Sequence, residues 1–185
     1  MYKYLSALLM VLVVSGCSST QKTEGQGMVS VVAQNVVRIA GSEAVKDLDL
    51  SETKERPTHI EVMGFADEFS EGYVLNLIRN AVEDQRGKLV AEQYAKLMVE
   101  VAVNAAGNDV GESGYILGSS ARSEGTVDLT ITVRDLETGN RYSRQKIVGH
   151  AKYQQGSFLG ISGSGAYFVL RGDDWEIVDD PTYYE

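Results

Sequence analysis

The chain has 185 residues, of which 43% are hydrophobic and 23% charged, and this supply of apolar side chains is enough to fold one domain. One cysteine and two histidines exclude an intrachain disulfide framework and leave too few ligands for a four-ligand zinc site. Asp and Glu outnumber Lys and Arg by 26 to 17, so we expect no nucleic-acid partner, because its phosphates would be repelled.

The first residues have the organisation of a secretory signal peptide. Lys3 precedes an apolar run from Leu5 to Val14, which is too short to span a bilayer because a spanning helix needs about 20 residues. Ser15, Gly16 and Cys17 follow, and this ending resembles the lipobox of bacterial lipoproteins, whose cysteine is acylated after the preceding peptide is removed. We therefore expect a signal peptide at residues 1–16 and lipid attachment at Cys17 rather than a buried free thiol.

The expected lipid anchor also predicts a location. Two or three acyl chains at ~0.8 kcal/mol per buried CH₂ attach a protein stably to a membrane. Ser18, in place of Asp, resembles the outer-membrane sorting pattern of enteric bacteria, which predicts a protein that faces the periplasm.

Residues 17–28 are polar and contain glycine, as is typical of a flexible tether. Residues 29–178 form the expected domain, and 179–185 an acidic, aromatic tail.

The first half of the domain alternates helical and extended patterns. Apolar spacings of three and four over Val29–Leu48, with a break at Gly41, predict an amphipathic helix. Alternation over His59–Phe65 predicts a strand, and Lys88–Ala91 predicts a second, short strand. Between them we expect a helix that Gly87 terminates. Its apolar face consists of Tyr73, Val74, Leu77, Ile78, Ala81 and Val82.

The second half contains the clearest strand signals. Lys96–Ala105 places Leu97, Val99, Val101 and Val103 on one face. Thr126–Leu136 alternates between inward Val127, Leu129, Ile131 and Val133 and outward polar residues, as half-buried strands do. A hairpin turn at 137–140, with Gly139 able to take a positive φ, leads into a strand at Arg141–Tyr153. This order predicts a single α+β domain with a mixed, mostly antiparallel sheet and helices packed on one face.

The same arrangement is similar to the domain shared by the curli secretion lipoprotein, the Pel polysaccharide lipoprotein and the N-terminal domain of the Tol-system β-propeller protein. It resembles more closely a group of uncharacterised bacterial outer-membrane lipoproteins. The matching positions, within roughly residues 44 to 160, are Ala44–Leu50, Gly64–Asp67, Ala106–Asp109, Asp135 and Thr138-Gly139. The resemblance implies the α+β fold and an envelope location, and it implies no set of catalytic residues.

The sequence contains no complete active-site motif. The segment 160–165 departs from the Gly-x-Ser-x-Gly elbow of serine hydrolases because Ser164 stands where the second glycine is needed. The available bases, His59 and His150, both fall within predicted strands. The chain also lacks the glycine–lysine pattern of a phosphate loop. We therefore predict no catalytic residues.

The paired acids are equally weak candidates for a metal site. Asp173-Asp174 and Asp179-Asp180 lack the spaced oxygen ligands of a dedicated calcium loop, and solvated charge explains them. We predict neither a bound metal nor a cofactor.

A partner-binding region is the more promising prediction. Residues 106–125 are rich in glycine and are interpreted as a long loop, which in a compact domain is often functional. Tyr115, Ile116 and Leu117 in its middle either contact a partner or pack on the sheet. A set of aromatic residues near the C-terminal end either covers the sheet or forms an interface, where such residues are enriched. Its members are Tyr153, Phe158, Tyr167, Phe168 and Trp175.

Two functions remain open at this stage. The first is a non-catalytic envelope lipoprotein that binds other envelope proteins or copies of itself. The second is a periplasmic ligand-binding or hydrolytic lipoprotein whose pocket would lie near Ser162 and His150.

Overall fold

The computed structural model describes residues 31–64, 68–115, 118–158 and 161–178. Cys17, the tether and the acidic tail therefore lie outside the described residues. Over the described ranges the helices are α1 (Val31–Val45) and α2 (Glu68–Asp84). The strands are β1 (Pro57–Gly64), β2 (Lys88–Leu89), β3 (Leu97–Tyr115), β4 (Gly118–Asp135), β5 (Arg141–Phe158), β6 (Ile161–Ser162), β7 (Ala166–Arg171) and β8 (Asp174–Ile177).

All of these strands join one sheet. Their order is β2-β1-β3-β4-β5-β7-β8, and β6 pairs with the far end of β5. β1 runs parallel to β2 and β3, whereas the remaining pairs are antiparallel. The predicted mixed, mostly antiparallel sheet is confirmed.

Both helices pack on the same face of the sheet, as predicted. α1 lies across β3, β4 and β5, and α2 lies on β1 and β2. The alternation read from the sequence puts the expected residues inward on β3 and β4, where each fully buried Val, Leu or Ile contributes about 1.5–3 kcal/mol. These buried side chains are Leu97, Val99, Val101, Val103, Val127, Leu129, Ile131 and Val133. We call this helix-covered side the inner face and the opposite side the open face.

Two glycines allow α1 to approach the sheet closely. A Cβ atom at Gly125 on β4 would lie 2.8 Å from the carbonyl carbon of Val36. A Cβ atom at Gly149 on β5 would overlap the carbonyl oxygen of Ala40. Because only hydrogen can occupy these positions, the helix backbone rests directly on the strands.

The end of α2 differs in detail from the prediction. The residue with the positive φ of 65° is Arg86, not Gly87. The Gly87 N–H donates to the carbonyl of Val82 at 2.8 Å and the Arg86 N–H donates to that of Glu83 at 2.8 Å, which is a Schellman ending. Gly87 is needed for space instead, because a Cβ there would collide with the Val82 side chain.

The predicted loop at 106–125 is wrong. β3 and β4 continue as one antiparallel ladder from Ala106 opposite Val127 to Tyr115 opposite Gly118. The apolar pattern fails to show this because a β-bulge between Val103 and Ala105 shifts the inward-facing positions by one residue. Backbone hydrogen bonds form the ladder, and glycine is compatible with its extended conformation.

Candidate interaction surface

Trp175 lies in an apolar strip on the open face, at the β8 edge of the sheet. The antiparallel register places Lys152, Phe168 and Ile177 side by side on β5, β7 and β8, and Leu170 opposite Trp175. Trp175 is 37% exposed and Ile177 is 63% exposed. The four apolar residues of this set, Phe168, Leu170, Trp175 and Ile177, are called the Trp175 strip below.

A single cation is held over the strip. The Lys152 Nζ lies 4.1 Å from the centroid of the Trp175 ring and 5.2 Å from that of Phe168. Both distances are within the range of cation–π attraction, which fixes the orientation of the indole ring. The surface therefore combines exposed apolar area with one ordered positive charge, a combination that suits protein recognition.

On the neighbouring part of the open face, Glu100 and Asp128 form ion pairs with side chains of the same chain. Glu100 accepts two hydrogen bonds from Arg134, at 3.0 and 3.1 Å. Asp128 accepts from Asn104 at 2.8 Å and forms an ion pair with Lys146 at 3.1 Å. Burial opposes ionisation of Asp128, but these contacts outweigh burial and lower its pKa. The strip thus borders a surface on which Glu100 and Asp128 already have charged partners.

The inner aromatic residues have a different role. Tyr153 and Tyr167 lie opposite each other on β5 and β7, with ring centroids 4.9 Å apart, and both pack against the core. Sequence reasoning grouped them with Phe168 and Trp175 as one aromatic set. The alternation Tyr167–Phe168–Val169 was the available signal, since successive side chains of a strand point to opposite faces.

The structure does not bring together the residues of the alternative hydrolytic site. The His150 Nδ1 lies 3.1 Å from the Thr126 hydroxyl oxygen on the neighbouring strand. The backbone of Ser162 pairs with Ser157, which is seven residues farther along β5 than His150. At about 3.3 Å per residue this separates the two positions by roughly 20 Å.

Asp135, one of the positions that carried the family resemblance, caps the turn after β4. Its carboxylate accepts the backbone N–H groups of Glu137 and Thr138, each at 2.9 Å. It also accepts the Tyr142 hydroxyl at 2.8 Å and an Arg56 N–H at 3.2 Å. The Thr138 N–H, followed by the Tyr142 hydroxyl, lowers the pKa of Asp135 to about 2. This geometry stabilises the turn.

A cleft of about 200 Å³ lies beside α1. The Tyr73 hydroxyl donates to the Arg38 carbonyl at 3.0 Å, and burial raises the pKa of Tyr73 to about 12, so the phenol stays neutral. The residues that line the cleft include no base for proton transfer at neutral pH. The lining residues are Gln34, Asn35, Val37, Arg38 and Tyr73.

The remaining predicted site residues are only partly described. Tyr115 ends β3, with its backbone opposite Gly118 and its side chain undescribed. Cys17, Ile116 and Leu117 lie outside the described residues. Within the described ranges, no helix has the length and apolarity to cross a membrane. The same ranges contain no cluster of three His, Cys, Asp or Glu residues that could hold a metal.

Comparison with known proteins adds no assignment. No protein-family model and no curated protein matches the chain. The similarity to the curli secretion and Pel lipoproteins therefore stays a prediction from the sequence.

Proposed function

We propose that this chain is a lipid-anchored, non-catalytic protein of the bacterial envelope that acts as an interaction or assembly component at the periplasmic side of the outer membrane. One observation carries the proposal: the only cysteine, Cys17, directly follows a short apolar run and two small residues. No other side chain in this region is nucleophilic enough to become a thioether anchor.

The organisation of the chain fits such a role. The acyl chains hold the protein at the bilayer. Without Lys3 of the signal peptide, the body has 16 basic and 26 acidic side chains, and this net charge of −10 gives it no attraction to anionic lipid. The polar tether separates the domain from the lipid surface. Surfaces of the domain then stay accessible to other proteins.

The Trp175 strip supports binding as the activity of the domain. It exposes apolar area at an edge of the sheet, beside a face whose ion pairs are internal to the protein. The separation of His150 from Ser162 along β5 gives no corresponding support to hydrolysis. We therefore assign partner binding to the strip and no chemistry to the histidines.

Lipidation is tested by the intact mass of the full chain extracted from a bacterial envelope. We expect a mass that lacks residues 1–16 and carries acyl chains, and Cys17→Ser should abolish both changes. Ser18→Ala is the matched control and should be processed normally, whereas Ser18→Asp should shift the protein to the inner membrane. An unmodified, uncleaved N-terminus would refute the proposal.

Partner binding is tested by a photo-crosslinking residue introduced at Ile177 in living cells. We expect a discrete protein adduct, which Trp175→Ala should reduce because the ring is an exposed part of the strip. The control position is Tyr94, which is 70% exposed and lies in a 3₁₀ turn of Glu92–Tyr94. Equal adducts from positions 177 and 94, or no effect of Trp175→Ala, would contradict the assignment.

A further inference from the structure

Strand β3 continues far beyond the last residue with which it pairs to β1 in the described part of the chain. β1 pairs with β3 only as far as Gly64 opposite Val103, where the β-bulge begins. From Ala105 to Tyr115, β4 is the one described strand that pairs with β3. The other side of this segment, which we call the free edge, therefore has no described backbone partner.

The free edge has few of the features by which proteins prevent edge pairing. At about 3.3 Å per residue it is roughly 35 Å long, and a long exposed edge is a template for another strand. It contains two acids, Asp109 and Glu112, and no lysine, arginine or proline. Val110 is 47% exposed. By contrast, the edge strand β8 has only four residues, and two of them, Asp174 and Glu176, are charged.

We propose that two copies of this chain pair through their free edges, antiparallel, to form a dimer with one continuous sheet. A two-fold axis between antiparallel strands stands perpendicular to the sheet, so each residue faces one whose side chain lies on the same face. This condition holds only when the two-fold axis passes beside one residue, which then lies opposite its own copy; such a register is called centred on that residue. The register centred on Val110 pairs the entire free edge, from Ala105 opposite the partner's Tyr115 to Tyr115 opposite the partner's Ala105.

The charges of the free edge favour the same register. Val110 faces the partner's Val110, so two exposed apolar side chains are buried together. Asp109 faces the partner's Gly111. A register centred on Asp109 would instead place a carboxylate directly opposite its own copy, which is destabilising.

The symmetry is compatible with two anchors in one membrane. A two-fold axis perpendicular to the sheet leaves the inner faces of both copies, and with them both α1 helices, on the same side. The two tethers that precede α1 then start from one side of the dimer. The dimer deepens the assembly role proposed above and rests on that proposal for its location, whereas the pairing itself does not require acylation.

Disulfide cross-linking of the full chain tests the register. Residues directly opposite in an antiparallel pair have Cβ atoms close enough for a disulfide. We expect Val110→Cys to form a covalent dimer of twice the chain mass under mild oxidation. Val148→Cys is the matched control, since Val148 is 44% exposed but lies on β5, outside the free edge, where it pairs with Asp128 of β4. The unsubstituted chain reports any cross-link through Cys17.

A charge exchange tests whether residue 110 faces itself. Val110→Lys should convert the dimer to a monomer in analytical ultracentrifugation, because two lysines would then be opposite each other, whereas Val148→Lys should leave the dimer intact. A mixture of Val110→Lys and Val110→Glu chains should regain the mass of a dimer through Lys–Glu pairs. A monomeric unsubstituted chain, equal cross-linking from positions 110 and 148, or no recovery in the mixture would overturn the pairing. The acylation state of the same samples is read from their intact mass, so failure of the anchor and failure of the pairing are distinguishable.

Discussion

Glycine occurs on both faces of the sheet, but only on the inner face does packing require it. Gly149 on the inner face of β5 has the backbone of α1 directly above it, and a Cβ there would overlap a carbonyl oxygen. Gly156, on the same strand but exposed, has no atom within 4 Å of where its Cβ would be. Glycine is therefore a packing requirement at the first position, and steric space imposes no such requirement at the second.

The charged groups follow the same division. Asp135, whose register partner is the buried Leu97, holds a turn with four hydrogen bonds. Its neighbour Arg134 forms an ion pair with Glu100 on the open face, where water competes. We therefore expect substitutions on the inner face to reduce stability more than substitutions on the open face.

The largest contrast should come from truncating an apolar residue on each face. Leu129→Ala removes a side chain that is fully buried beneath the helices, and we expect it to lower the free energy of unfolding by about 2–5 kcal/mol. Val148→Ala on the open face should change it by less than about 0.5 kcal/mol. Urea unfolding of both variants, followed by circular dichroism, gives the comparison. Similar losses would mean that something covers the open face.

The glycine pair should give the next largest effect. Gly149→Ala forces α1 away from β5, and we expect a loss of about 1–3 kcal/mol, as is typical of overpacked cores. Gly156→Ala should be neutral or raise stability by up to about 1 kcal/mol, because alanine restricts the unfolded chain more than glycine does. The midpoints of thermal unfolding should therefore move in opposite directions. A tolerated Gly149→Ala would show that α1 does not rest on the strand.

The smallest expected effect on stability comes from substituting the adjacent charged residues Arg134 and Asp135. Asp135→Asn should destabilise the protein near neutral pH, and the difference from the unsubstituted chain should decrease as the pH falls from about 4 to about 2. The sign follows from linkage: the folded-state pKa of Asp135 is about 2, below its ordinary value of 3.8, so the ionised form stabilises the fold and protonation removes that contribution.

Arg134→Ala is the matched control for this pH dependence. An exposed ion pair contributes less than about 1 kcal/mol, so the variant should lose little stability at any pH. Added salt should reduce even that loss, because ions screen exposed charges. Thermal unfolding between pH 2 and pH 7 measures both variants, and a larger pH effect in Arg134→Ala would contradict the division between the faces.

The regular parts of the sheet could be predicted from local pattern. Alternation over four apolar positions on each of β3 and β4 identified the strands and their buried side chains, because a half-buried strand requires a period of two. The turn at Gly139, with its φ of 71°, was also accessible from residue type. In the candidate surface, Trp175 could be predicted, whereas the contribution of Lys152 could not, because the two residues meet only through the pairing of β5, β7 and β8.

The sequence by itself determined the α+β class and the residues that face the helices, because both follow from periodic patterns within single segments. It is also the whole basis of the predicted lipid anchor at Cys17. Tertiary structure decided that residues 106–125 extend a hairpin, because the bulge after Val103 changes the phase of the pattern without changing the strand. It also decided that, among the described residues, β1 pairs with β3 only as far as Gly64 opposite Val103. That boundary depends on pairing between distant segments, and no local periodicity encodes it.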